Sequence, residues 1–269
     1  MKSTASQPTV IWLVGASSGI GLSLVERWLS QGCRVVASAR TAETSEPLAS
    51  LKQRFPESLQ CLNLDVTATA DEAALKHAVD QAWAFFGRVD VWFYNAGVYV
   101  PGAWEAMTWD DYRQMTQVNY LGCVALQLAL RDVWLAQGRP PMRWVWNLSI
   151  ANQVGLPYGG GYSAPKAALL NLAESLQPEL AQKGIRLQVV NHGFVKTRLT
   201  EKNDFAMPGL MSVEAAAERI ADWLDRPTSG FELHFPKKLT LFLKVLRCLP
   251  SGLRLAVTRR LLHPRESEG

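Results

Sequence analysis

Short apolar runs alternate along the chain with longer stretches of helical period. Val10–Val14, Arg34–Ala39, Leu59–Leu64, Val89–Tyr94, Arg143–Ser149, Arg186–Asn191 and Phe231–Phe235 read as strands. Most are apolar at odd and even positions alike, so both faces of the sheet they form must be covered. Between them lie predicted helices. One opens at Ser17–Gly21 and is closed by Gly32, and one covers Asp71–Phe86 and is stopped by Gly87. A long one runs from Thr108, with Asp111 three places on as in a capping box, to about Ala136. Two more cover Gly161–Lys183 and Ser212 to about Asp225. Alternation at these lengths gives right-handed crossovers and an α/β, doubly wound, mainly parallel sheet of about seven strands. No repeat and no Gly/Ser or Pro linker splits it, so one domain over 1–236 is expected, followed by a tail over 237–269. Pro178, inside a helical pattern, predicts a kink.

The first strand runs straight into Gly15-Ala16-Ser17-Ser18-Gly19-Ile20-Gly21. Glycines there permit a tight turn and close backbone approach, and the helix that follows offers free N–H groups and a positive dipole end to a pyrophosphate. The same residues also satisfy G-x-S-x-G, the nucleophile elbow of serine hydrolases. Only fourteen residues precede Gly15, which leaves no room for the oxyanion loop such an elbow needs. The second strand ends at Ala39-Arg40 with no acid at its tip. An acid there would bind the 2′-hydroxyl of NAD, whereas an arginine suits a 2′-phosphate, so NADP(H) is favoured over NAD(H). Tyr162 and Lys166 stand four apart on one helix face, and a nearby ammonium would lower a phenol's pKa toward useful proton exchange. Pro165 between them is tolerable if it lies in the helix's first turn.

Composition narrows the field. The chain has 28 Lys+Arg, 24 Asp+Glu, 19% charged and 48% hydrophobic residues, enough for a core and too little polarity for disorder. Residues 1–236 hold 20 basic and 22 acidic side chains, whereas 237–269 hold 8 and 2, so the basic excess belongs to the tail and no nucleic-acid footprint is expected. Cys33, Cys61, Cys123 and Cys248 are scattered, as are His77, His192, His234 and His263, without metal-ligand spacing. The polar start MKSTASQPT does not resemble a signal peptide, and no apolar run reaches the ~18 residues of a membrane span, so a soluble cytoplasmic protein is expected.

Gly15-x-x-x-Gly19-Ile20-Gly21, Asp65-Val66, Asn95-Ala96-Gly97, Asn119, Ser149, Tyr162 and Lys166 fall in order from Val10 to about Thr200. Together they resemble the short-chain dehydrogenase/reductase family. The resemblance implies a Rossmann-like domain, a nicotinamide cofactor and hydride transfer to or from a carbonyl/alcohol pair. It implies that Tyr162 is the general acid/base, that Lys166 lowers its pKa and holds the nicotinamide ribose, and that Ser149 bonds the substrate oxygen. Asn119 would hold a water in the proton relay. For the cofactor it implies Gly15, Ser17, Ser18, Gly19, Ile20, Gly21 and Arg40, the adenine-contacting Asp65 and Val66, and Asn95, Ala96 and Gly97 beside them. Gly193, Val195 and Thr197 would lie near the nicotinamide. A dimer or tetramer is the implied assembly. The chain departs from the family at Val14 (usually Thr), Leu148 (usually Ser or Gly) and His192 (usually Pro). His192 is expected as a solvated loop residue. The alternative of another class is a catalytically idle nucleotide-sensing module or scaffold.

Two segments bear on the substrate. Residues 194–211, with Thr200, Asn203, Phe205, Met207, Pro208 and Met211, have the length and composition of a lid over an apolar carbonyl or alcohol substrate. Tyr99, Val100, Trp104 and Tyr158 are expected near the same cleft. The tail, over 237–262, reads as two basic amphipathic helices parted by Pro250-Ser251-Gly252. They suit packing on the domain or on another subunit, which is preferred here because apolar faces are usually buried in protein. The alternative is peripheral contact with an anionic membrane.

Overall fold

The computed structural model describes residues 7–262 other than 70, 138–142, 204 and 227. The tail positions 263–269 lie outside the described residues. The seven strands are β1 (Val10–Val14), β2 (Arg34–Ala39), β3 (Leu59–Asn63), β4 (Val91–Tyr94), β5 (Arg143–Asn147), β6 (Arg186–His192) and β7 (Glu232–Phe235). They form one parallel sheet in the order β3-β2-β1-β4-β5-β6-β7. The order reverses between β1 and β4, which opens a crevice at the strands' carboxyl ends where ligands of such sheets bind.

Helices cover both faces, as the doubly apolar strands require. α1 (Gly19–Ser30), α2 (Glu46–Arg54) and α7 (Val213–Leu224) bury Leu24, Trp28, Leu48, Leu51 and Ile220 against Leu13, Val35 and Phe93. α3 (Glu72–Ala84), α5 (Gly122–Gln137) and α6 (Gly160–Gln182) bury Leu75, Leu126, Leu130 and Leu169 against the other face. That second face carries a cross-strand row of indoles, Trp12 opposite Trp92 opposite Trp144, and Trp92 meets Trp144 edge-on at 5.4 Å. Asp71 caps α3 through the Ala74 N–H, and Ser212 caps α7 through the Ala215 N–H.

The structure corrects the sequence reading at four places. α2 has no counterpart in the hydrophobic pattern, because only Leu48 and Leu51 of its nine residues are buried. The single long helix expected from Thr108 is three pieces: α4 (Trp109–Thr116), a π-turn over Gln117–Leu121, and α5. The Thr108–Asp111 capping box is formed. The wider turn coincides with a buried Tyr94 hydroxyl donating to the Val118 carbonyl at 2.6 Å. Pro165 lies in the second turn of α6, not the first, because the helix begins at Gly160 with Gly159 as its N-cap; Tyr162 remains in the first turn. β5 ends at Asn147, and Ser149 instead caps a 3₁₀ turn over Ile150–Asn152.

The tail folds back as α8 (Lys237–Cys248) and α9 (Ser251–Arg259). Leu243 and Leu246 of α8 pack with Ile150 and Val154, in the loop that follows Ser149, and Val257 of α9 joins them. No helix among the described residues is long and apolar enough to cross a membrane.

Candidate active site

The glycine turn lies at the β1 end of the crevice. Gly15 has φ +91° and Gly19 φ +54°, a region open to glycine. A Cβ on Gly15 would fall 2.6 Å from the Ala96 nitrogen, so this backbone can lie against Asn95-Ala96-Gly97 only without a side chain. A Cβ on Gly21 would strike the Gly15 carbonyl and come 2.7 Å from Asn95 Nδ2. The Ser38 carbonyl accepts from Gly15 N–H (2.7 Å) and Ala16 N–H (3.0 Å), and Asn95 Nδ2 donates to the Gly15 carbonyl at 2.8 Å. The turn is therefore held by backbone and amide bonds at a place where Val14 offers no hydroxyl. Ser18 is the N-cap of α1 but makes no side-chain bond to the helix, and no acid lies in the first turn. The Thr197 methyl would sit 3.2 Å from a Cβ on Gly19, so the segment after β6 reaches the turn.

On the β2 side of the turn, Arg40 is exposed just beyond β2. Asp65, beyond β3, is exposed and accepts from the Thr67 N–H and hydroxyl, while Val66 is buried. An uncapped helix N-terminus behind a turn whose glycines let the backbone come close fits the pyrophosphate of a dinucleotide.

Tyr162, Lys166 and Ser149 converge beside β5. The Ser149 hydroxyl is hydrogen-bonded to the Tyr162 phenol. Tyr99 meets the Tyr162 ring edge-on at 5.1 Å. Lys166 is almost wholly buried; its Nζ lies 5.8 Å from the Tyr162 ring centroid and donates to the Asn147 carbonyl at 2.9 Å. Burial pushes the Tyr162 phenol up to about 12, partly opposed by the Ser149 hydrogen bond and reinforced by Tyr99. Burial also brings Lys166 down to about 8. This corrects the lowering by Lys166 that the sequence predicts: the direction in the folded site is upward, with burial of the phenol as the largest cause.

Asn119 sits in the π-turn, fully buried. Its Oδ1 accepts from the Val98 N–H (3.1 Å) and its Nδ2 donates to the Val98 carbonyl (2.8 Å). Its side chain clamps the strand that follows Gly97, whose Cβ, if present, would lie 3.3 Å from Asn119 Oδ1 and 3.9 Å from Lys166 Nζ. His192 is not a solvated loop residue. It ends β6 opposite Phe235, its ring tilts against Phe235 at 6.3 Å, its Nδ1 bonds the Gly193 carbonyl at 2.8 Å, and burial brings it down to about 4. Gly193 packs where a Cβ would meet Pro236 at 2.8 Å. Val195 is buried and bridges Met211, so the 194–211 segment is closed at its base.

Two features were missed in the sequence. Asn147 joins the two halves of the site: its Nδ2 donates to Asn95 Oδ1 at 2.7 Å, and its carbonyl holds Lys166. A polar residue inside an apolar strand, two places before Ser149, was the available signal. The second is a buried polar chain leading from the tail. Lys244 pairs with Glu232, Asn191 donates to Glu232 and accepts from Asn152, and Gln153 donates to Asn152. Arg247 completes it at the Gln153 side-chain oxygen (3.5 Å). Helix α8 is thereby tied to the turn that starts at Ser149.

Residues 9–207 match the family model for short chain dehydrogenase. The chain belongs to the short-chain dehydrogenase family. Among relatives of this family, an uncharacterized oxidoreductase of Myxococcus xanthus is 32% identical over 250 residues, 93% of this chain and 96% of its own. The 17-beta-hydroxysteroid dehydrogenase type 1 of Mus musculus is 32% identical over 266 residues, 95% of this chain and 75% of its own. A short-chain dehydrogenase from Streptomyces avermitilis superposes with TM-score 0.75 at 26% identity, covering 96% of each chain. One from Burkholderia cenocepacia in complex with NADP has TM-score 0.77 at 23% identity, covering 96% of this chain and 98% of its own.

Proposed function

We propose that this short-chain dehydrogenase is an NADP(H)-dependent reductase of an apolar ketone or aldehyde, with Tyr162 as proton donor. The observation that carries this reading is the convergence of the Tyr162 phenol, the Ser149 hydroxyl and the buried Lys166 ammonium beside a crevice whose glycine turn fits a dinucleotide. The bound reduced nicotinamide supplies a hydride. Gly15, Ser17, Ser18, Gly19, Ile20 and Gly21 would hold the pyrophosphate; Arg40, Asp65 and Val66 the adenosine end. Asn95, Ala96 and Gly97 would form the floor, and Gly193, Val195 and Thr197 the nicotinamide side. The Ser149 and Tyr162 hydroxyls hold the carbonyl oxygen of the substrate, and Tyr162 passes its proton to that oxygen as charge develops there. Lys166, near about 8 and fixed on the Asn147 carbonyl, stabilises the phenolate left behind. Asn119 keeps the floor in place through Val98, and would hold a water in the proton relay.

Support for an apolar substrate comes from Tyr99 against Tyr162 and from Phe194 against Phe205 (5.9 Å) in the proposed lid, which Lys202 ties across the cleft to the Tyr99 carbonyl at 2.9 Å. The name of the hydroxysteroid-dehydrogenase relative from the mouse agrees with an apolar substrate, and that of the Burkholderia neighbour with NADP. Exposed Trp109, Leu128 and Leu135 on α4 and α5 support pairing of two copies through those helices.

The test is a fluorescence titration with NADPH and NADH side by side, on the natural chain and on Arg40→Ser. A charge-assisted contact to the 2′-phosphate amounts to about 1.5–3 kcal/mol, so NADPH should bind roughly 10- to 150-fold tighter than NADH, and Arg40→Ser should erase the difference. Equal affinities in the natural chain would remove the NADP assignment. Binding of neither would leave the idle scaffold as the better reading.

A further inference from the structure

We propose that the outer face of the α8–α9 pair is a docking surface for an anionic lipid bilayer, on which the helices lie flat. The inner face is already occupied: Leu243 and Leu246 pack on Ile150 and Val154, and Thr258 of α9 is buried. Yet the opposite face is apolar too. On α8, Leu241, Phe242 and Val245 share one side, exposed by 52%, 54% and 64%. On α9, Leu253 and Leu255 are exposed by 59% and 54%. An amphipathic helix that serves its own domain alone would turn charge outward here.

Charge chooses the occupant. Residues 237–262 carry seven Lys and Arg and no Asp or Glu. Among the described residues, Lys244 is the one of these cations that reaches a carboxylate, through Glu232. Lys238, Arg259 and Arg260 lie exposed beside the apolar residues. A second copy docking through the same face about a two-fold axis would set these cations against their own images, which is repulsive. A surface of acidic headgroups over acyl chains complements both features. With no described helix able to cross a membrane, contact is in the plane of the interface. The polar chain from Lys244 and Arg247 to Gln153 keeps the inner face on the domain while the outer face engages lipid. This inference stands apart from the identity of the substrate, because its readout is partition and not turnover.

The experiment is vesicle flotation of the full chain with NADPH, using phosphatidylcholine alone and phosphatidylcholine mixed with phosphatidylserine. It is run on the natural protein, on Phe242→Glu/Val245→Glu and on Lys238→Glu/Arg259→Glu/Arg260→Glu. The natural protein should float with the mixed vesicles and much less with the neutral ones, and each variant should lower the partition coefficient by about tenfold or more. Unchanged melting temperature and NADPH affinity show that the variants are folded. Failure of the natural protein to float, or flotation indifferent to both variants, overturns the proposal. So does a fall in sedimenting mass of Phe242→Glu/Val245→Glu without a change in flotation, which would mean that a second copy covers the face.

Discussion

Replacing Asn119 with Ala removes a clamp whose two halves are both visible. The Val98 N–H and carbonyl would each lose a partner now at 3.1 and 2.8 Å, beside a side chain that is itself fully buried. A buried backbone group without a partner costs about 1–3 kcal/mol, which gives about 2–6 kcal/mol for the pair. A water entering the vacated space would keep the loss near the lower end, about 2–3 kcal/mol. For a domain of this size each kcal/mol lowers the melting temperature by roughly 2–4 °C, so a fall of about 5–10 °C is expected. Differential scanning calorimetry on apo protein measures it, and steady-state turnover should fall as well, since Gly97-Val98 borders Lys166. A melting temperature within about 1 °C of the natural protein would refute the clamp, because losing both partners of a half-buried peptide unit and emptying a buried site should cost more than that. If turnover alone collapsed, the side chain would act through a bound water instead.

Two further outcomes follow from the geometry. Gly15→Ala places a Cβ 2.6 Å from the Ala96 nitrogen at φ +91°, and should lower stability by about 2–5 kcal/mol in thermal melts and weaken NADPH binding by at least an order of magnitude. Lys166 is depressed from 10.5 to about 8 in the folded protein, so the unfolded chain binds more protons between those values. Lys166's own contribution to stability should therefore rise with pH from about 8 to 10.5, by up to ~1.4 kcal/mol per pH unit, while the raised Tyr162, Tyr94 and Cys123 act with the opposite sign as they titrate. The difference in melting temperature between the natural protein and Lys166→Met should therefore shift in favour of the natural protein across that window; a difference that does not change with pH would contradict the buried charge on Lys166.

The sheet was legible because its strands are apolar on both faces and their lengths leave room for crossovers of one helix each. What escaped was set by tertiary contacts. α2 exists because β3 and α1 bury Leu48 and Leu51, a signal too sparse for periodicity to register. The π-turn interrupts a sequence that is helical throughout; a phenol from a different strand, Tyr94, takes the Val118 carbonyl there. In the site, residue types and spacing brought out Tyr162, Lys166, Ser149 and Asn119, and the structure gathers the first three around one phenol. The sign of the phenol's shift was not readable, since spacing reports the ammonium's nearness and not the burial that raises the phenol. His192 was misjudged for a related reason: a histidine after an apolar strand looks solvated until β7 supplies Phe235 to cover it. The amide chain Asn191–Asn152–Gln153 joins residues about 40 positions apart, a juxtaposition that only the fold creates.

The central claim is that the Tyr162 hydroxyl delivers the proton in an NADPH-driven carbonyl reduction. Its most direct test is single-turnover oxidation of bound NADPH by a panel of apolar ketones and aldehydes, in the natural protein and in Tyr162→Phe. The account predicts turnover in the natural protein and a loss of about 10²–10⁴-fold in the variant, with NADPH affinity nearly unchanged. A variant that turns over as fast as the natural protein would contradict it.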